Sequence, residues 1–361
     1  MLPIEYNGAR RQGEAAMNIR EVARLAKVST ATVSRTINGS DKVTPATKER
    51  VQRAIEELGF YPNTWARALG SGRSSLYGLI ISDITNPFFP ELVKSFEDIA
   101  VQYGQEVLVA NTNYDPARMQ VCVSRMLQRK VDGVAIMTSE MDEQLITEFR
   151  SRAIPLVFLD TGAPGKLTSN IVVDYAAGVD AAVEHILGLG HREIAFISGP
   201  MALRSARVRR DEFVASLERS GMGAGMTEEG NHQVDGGHEA MARLLERQRR
   251  PTAVLASNDM TAIGALGAIH EHGLRVPEDI SLVGFDDIQI SAFTQPALTT
   301  VRLSREEIAR TAFRALYSAR QEGSMGAESS VRPTLVIRRS TGPVGRGAEK
   351  RAPEDGAVVR V

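Results

Sequence analysis

The stretch KVSTATVSRTING, Lys27 to Gly39, decides how the first part of this chain is read. Ser29, Thr30, Thr32, Ser34 and Arg35 crowd a segment of about two helical turns, although hydroxyl side chains neither fill a core nor favour a helix interior. Before it, Ile19, Val22, Ala23 and Ala26 recur at helical spacing, and the pattern stops at Val28-Ser29. Thr30 to Ile37 then reads as a second, short helix, with Ser29 as N-cap and Val33 and Ile37 on its inner face. Thr44 as N-cap and Pro45 open a third, whose stripe of Val51, Ile55 and Leu58 ends at Gly59. Three helices over one apolar cluster, the second presenting Ser, Thr and Arg outward, predict a helix-turn-helix. Its second helix places its N-terminal end in the DNA major groove. There, hydroxyls and N–H groups bind phosphates, and Arg35 is long enough to make two hydrogen bonds to a guanine edge.

Charge separates this head from the rest. Residues 18–75 hold ten Lys/Arg against five Asp/Glu, whereas the whole chain of 361 residues carries a net charge of −1, so the remainder is acidic. A basic head on an acidic body fits a polyanion partner for the head alone. With 43% hydrophobic and 24% charged residues, the chain has globular composition and length for two or three units. A single cysteine, Cys122, excludes an intramolecular disulfide framework and a multi-cysteine zinc site, and fits a reducing cytoplasm. No apolar run approaches the roughly 20 residues of a membrane span, and the first residues lack the apolar region of a signal peptide.

From Ser75 short apolar runs alternate with amphipathic ones: LYGLIIS, then 90–103, EVLVANT, 116–129, VDGVAIM, DEQLITEFRSRA and IPLVFLD. That alternation predicts a parallel sheet covered by helices. It begins anew at NIVVDYAAGVDAAVEHILGLG, with EIAFISG, AVLAS and ISLVGFD as later strands, so two similar lobes are expected. Asp174 and Asp259 precede helices and read as N-caps. Ligand groups gather outside the carboxyl ends of parallel strands, which directs attention to SDITNPFF, FLD, GPMALRSARVRR, ASND and GFDD. GMGAG at 221–225 lacks the setting of a dinucleotide site, no Gly-x-Ser-x-Gly elbow is present, and His270 and His272 face different ways on a helix. No enzyme, metal or cofactor is implied.

NIREVARLAKVSTATVSRTING and VTPATKERVQRAIEELGFYPNTWARAL resemble the LacI-type (LacI/GalR) bacterial transcription regulators, and the resemblance continues to about residue 340. It implies a dimeric regulator, most simply a repressor of carbohydrate-utilisation genes, binding a palindromic operator in double-stranded DNA under control of a small sugar-like effector. Carried over by position, Thr30, Ala31 and Arg35 match base-reading residues, and Ser29, Ser34 and Asn38 phosphate-contacting ones. NTWARALGSGRSS matches a hinge helix that orders when two copies meet in the minor groove, with Leu69 as wedge and Ala66 at the helix-to-helix contact. Trp65 either packs on the head or approaches the DNA backbone.

The same resemblance implies a periplasmic-binding-protein-like body of two doubly wound parallel-sheet lobes, with effector in the cleft between them. Phe88 and Phe89 would supply an apolar wall, and Asp160, Ser205, Arg209, Asn258 and Asp286 the polar contacts. Carboxylates with Arg and Asn suit a hydroxyl-rich ligand. The extra arginines of RSARVRR keep a sugar acid or phosphate open beside a neutral sugar. The expected organisation is an unstructured extension at 1–17 (Met17 being a second candidate start), a DNA-binding domain at 18–62, a hinge at 63–74, a body at 75–341 and an unstructured tail at 342–361. Within the body, the N-lobe takes 75–172 and 302–324 and the C-lobe 173–301 and 325–341. An exported sugar-binding protein of a transporter shares this body but has no use for a basic helix-turn-helix. No heptad repeat joins two dimers at the end of the chain.

Overall fold

The computed structural model describes residues 18–37, 39–60, 73–138, 143–322 and 325–345. Asn38, Trp65, Ala66 and Leu69, with nearly all of the expected hinge, lie outside these residues, as do 1–17 and 346–361. The chain divides into two units at Ser74/Ser75.

The head consists of α1 (Ile19–Leu25), α2 (Thr30–Ile37) and α3 (Pro45–Leu58). Asn18 caps α1 reciprocally: its side chain accepts from Arg20 N at 2.9 Å while its own N–H donates to Glu21 at 3.2 Å. Ser29 caps α2 by accepting from Thr32 N at 3.2 Å. Thr44 takes the N-cap position of α3, but its hydroxyl donates to the Thr47 hydroxyl instead of satisfying a backbone group. Gly59 ends α3 at φ 57°, a conformation that favours glycine. Val22, Ala23, Ala26, Val33, Val51 and Ala54 form the buried cluster.

The body has two six-stranded sheets. In the N-lobe, β1 (Leu76–Ile81), β2 (Glu106–Asn111), β3 (Gly133–Met137), β4 (Leu156–Leu159), β5 (Thr168–Val173) and β11 (Glu328–Val331) lie in the order β11-β5-β4-β3-β1-β2, all parallel. Helices α4 (Phe88–Gln102), α5 (Pro116–Gln128), α6 (Glu143–Ser151) and α11 (Arg305–Glu322) accompany it. In the C-lobe, β6 (Ile194–Ser198), β7 (Met226–Glu229), β8 (Ala253–Ala256), β9 (Ser281–Asp286), β10 (Thr299–Arg302) and β12 (Thr334–Val336) follow the order β12-β10-β9-β8-β6-β7. Its helices are α7 (Tyr175–Gly188), α8 (Arg204–Arg219), α9 (Val234–Leu245) and α10 (Asp259–Glu271).

Four details depart from the sequence reading. The C-lobe sheet is not wholly parallel, because β12 runs antiparallel to β10 at its edge. The last crossing between lobes falls between Val331 and Thr334, not at 325: Glu328 to Val331 pair in register with Asn170 to Val173 and extend the N-lobe sheet. Gly326 permits this approach, since a Cβ there would lie 1.8 Å from the Thr168 carbonyl oxygen. Residues 342–345, expected to open an unstructured tail, are bonded to the C-lobe. The Gly342 N–H donates to Ser281 at 3.0 Å, its carbonyl lies 2.9 Å from the buried His191 ring, and Val344 N donates to Leu189 O. Finally, Asn258 caps α10, not Asp259, which is fully buried inside the first turn.

Candidate functional site

At the carboxyl end of β1 the chain is turned by its own polar side chains. Asp83 accepts from the N–H and hydroxyl of Thr85, and Asn86 accepts from Phe88 N, so α4 begins with two aromatic residues. Phe88 and Phe89 meet edge to face, with ring centres 5.3 Å apart. At the end of β4, Asp160 stands at φ 60° and accepts from Val173 N and the Tyr175 hydroxyl, each at 2.7 Å. Burial raises its pKa, against the lowering effect of those two hydrogen bonds and of Arg209 and Arg204.

From the other lobe, Ser205 and Arg209 enter on α8. Arg209 is 8% exposed and lies over two rings, with its guanidinium carbon 5.0 Å from the centre of Tyr175 and 4.6 Å from that of Phe285. It donates to Ser257 O at 2.5 Å. Burial works against its charge, but Tyr175, Asp286 and Asp160 outweigh that and hold it protonated. Asn258 accepts from Thr261 N and donates to His232 O, which leaves its second amide N–H uncommitted to these contacts. Asp286 ends β9 at φ 105°; burial pushes its pKa up to about 6, although Arg209 and Arg305 pull it down.

All seven residues expected at the effector site line one cavity of about 630 Å³ between the lobes. It falls within the usual size range of small-molecule sites. Of the arginine-rich segment, Arg204 and Arg209 line it. Arg207 instead donates to Met201 O and Ala202 O, and Arg210 pairs with Asp211. The carboxylates Asp160, Asp286 and Glu328 stand against those two cations, so the lining carries no surplus of positive charge.

Tyr175, His232, Asn170 and Glu328 also line the cavity and were not singled out in the sequence. Burial, then the nearby Arg209, lowers the His232 pKa to about 3, so its ring is neutral. Asn170 donates to Glu328 at 3.3 Å. Among the described residues, the buried polar atoms without a hydrogen-bond partner include Asn170 Oδ1, Arg209 Nε and His232 Nε2 of this lining.

On the head, Ser29, Thr30, Ala31 and Arg35 are exposed and Ser34 is half-buried, all on or beside the first two turns of α2. The Val33 side chain between them is fully buried and fixes which face of α2 is turned outward.

Residues 18–63 match the family described as bacterial regulatory proteins, lacI family, and residues 183–341 match the periplasmic binding protein-like domain. The chain is 35% identical over 299 residues to the ribose operon repressor of Escherichia coli K12, covering 81% of this chain and 90% of that protein. It is 33% identical over 303 residues to catabolite control protein A of Priestia megaterium, covering 83% and 91%. Among solved structures, the Lac repressor dimer bound to operator and the anti-inducer ONPF superposes with a TM-score of 0.81 at 30% identity, covering 90% of this chain and 99% of that one. The helix-turn-helix head, the two-lobed body and these likenesses over four fifths or more of the chain agree: the chain belongs to the LacI family of bacterial transcription regulators.

Proposed function

We propose that this regulator is a homodimeric repressor of carbohydrate-utilisation genes whose affinity for a palindromic operator is set by a neutral, hydroxyl-rich effector in the interlobe cleft. The convergence of Phe88, Phe89, Asp160, Ser205, Arg209, Asn258 and Asp286 on one cavity carries the reading. Its polar groups include both donors and acceptors with no surplus of positive charge, which suits adjacent hydroxyls better than a carboxylate or phosphate. The name of the ribose operon repressor supports the same class of effector. No residue is assigned a catalytic role.

In this reading Thr30, Ala31 and Arg35 read base edges, Ser29, Ser34 and Asn38 hold phosphates, and Leu69 and Ala66 act at the minor groove. Effector binding changes the angle between the lobes and so biases the DNA-binding conformation, a coupling of typically 1 to 3 kcal/mol. Selection of bound DNA from a random library, at near-physiological salt to suppress nonspecific phosphate binding, tests the first half. An enriched palindrome is expected, and its release or retention in the presence of single neutral and acidic sugars tests the second. Absence of enrichment with every sugar overturns operator recognition, and a response to acidic sugars alone overturns the neutral effector.

A further inference from the structure

Arg305 stands where helix electrostatics argue against it. It is the first residue of α11, and a helix N-terminus favours the Glu306 and Glu307 that follow, not a cation. Its partners lie largely in the other lobe. The guanidinium donates to the carbonyls of Asp286 and Asp287, and within its own lobe it pairs with Glu91 at 2.9 Å and lies 5.9 Å from the centre of the Phe88 ring. The second Glu91 oxygen accepts from Gln289 N, again across the lobes, at 3.0 Å. Arg305 and Glu91, from α11 and α4, thus grip the backbone of 286–289 at three points.

That backbone needs holding. Asp286 and Asp287 are consecutive non-glycine residues at φ 105° and 55°, where L side chains are rarely found. The C-lobe contributes its own restraints: Asp259 accepts from Ile288 N, and Asp287 pairs with Arg302 and Arg338. Those contacts fix the neighbours of Asp286, while the Asp286 carbonyl accepts from Leu303 N at 3.5 Å and from the Arg305 guanidinium.

We propose that Arg305, with Glu91, is a positioning residue for the effector: from the N-lobe it holds the 286–289 backbone in the conformation that turns the Asp286 carboxylate into the cleft. The proposal rests on the reading of Asp286 as an effector contact. It makes the docking of the lobes and the presentation of Asp286 a single event, because the same guanidinium backs the Phe88 wall and grips the Asp286 carbonyl.

The test uses the full chain and the variants Arg305→Gln, Arg305→Lys and Glu91→Gln. Without sugar, amide exchange at Gln289 and across 285–292 is expected to quicken at least tenfold in Arg305→Gln and Glu91→Gln, with protection elsewhere in the C-lobe unchanged. Lysine keeps the charge facing Glu91 but lacks the planar fork that reaches two carbonyls, so Arg305→Lys restores only part of the protection. Calorimetry with D-ribose and with cellobiose, whichever binds the wild type, is expected to show at least tenfold weaker binding in Arg305→Gln. Unchanged exchange in Arg305→Gln overturns the proposal, as does quickened exchange with sugar affinity within twofold of wild type. If neither sugar binds the wild type, the effector reading fails for those sugars, and the exchange result alone decides whether Arg305 holds the loop.

Discussion

The Asp83 carboxylate, just beyond β1, accepts a 2.6 Å hydrogen bond from the Gln233 amide at the start of α9, and so joins the N-lobe to the C-lobe beside the cleft-lining residues Ser82 and His232. Asp83 is 3% exposed and held by Thr85, so the acceptor is fixed in place before the lobes meet. A hydrogen bond to a charged group contributes about 1.5–3 kcal/mol. Gln233→Ala is therefore expected to weaken binding of any sugar that closes the cleft by about tenfold or more. Calorimetric titration measures this, and affinity within twofold of wild type would remove the contact from closure.

Arg35→Ala should relax base preference at one position in each half-site of the operator, at a cost of roughly 1–3 kcal/mol. Repeating the library selection with the variant reads this directly. An unaltered preference at every position would remove Arg35 from direct base readout.

His232 gives the stability a pH dependence of known sign. Its folded pKa of about 3 lies below the ordinary 6.5, so between those values the unfolded chain binds the extra proton. The contribution is complete above pH 6.5 and is lost as pH falls toward 3, at about 1.4 kcal/mol per pH unit. His232→Asn, which tolerates the positive φ of 65° at this position, removes that slope. Urea unfolding at pH 8 and pH 5 should show the variant losing about 2 kcal/mol less than wild type over that interval. Equal losses in both proteins would mean that the ring titrates normally.

Helices α9 and α10 approach through glycine. A Cβ on Gly264 would lie 1.9 Å from the Val234 carbonyl oxygen, and one on Gly237 would lie 2.2 Å from that of Thr261. Backbone cannot rotate aside as a side chain can, so Gly264→Ala should cost about 3 kcal/mol, the upper end for overpacking. Denaturant midpoints measure it. A loss below about 0.5 kcal/mol, the ordinary range of a surface substitution, would show that the two helices separate freely.

Local pattern made the head legible, because the spacing of Val22, Ala23, Ala26 and Val33 encodes both the helices and their buried faces. The cleft was legible in part, since strand-end residues such as Asp160 and Asp286 follow from the position of each strand in its sheet. His232, Asn170 and Arg305 were not. Each acquires its place from residues far along the chain: Asn170 from Glu328 on a neighbouring strand, His232 from Asn258, and Arg305 from Glu91 and Asp286. Asp259 shows the converse error. Its place before a helix suggested a cap, but its carboxylate accepts from Ile288, Ser291 and Thr300, contacts that no local pattern records.

The exchange of segments between lobes also constrains how the protein is made. The edge strand β11 of the first sheet ends at Val331, and β10 of the second is not reached until Thr299. A chain emerging from the ribosome therefore exposes the open edge of β5 until nearly the whole body has been synthesised. Unpaired edges invite association with other chains, so this two-lobed body stays exposed to mispairing for longer during synthesis than two consecutive, uncrossed domains would.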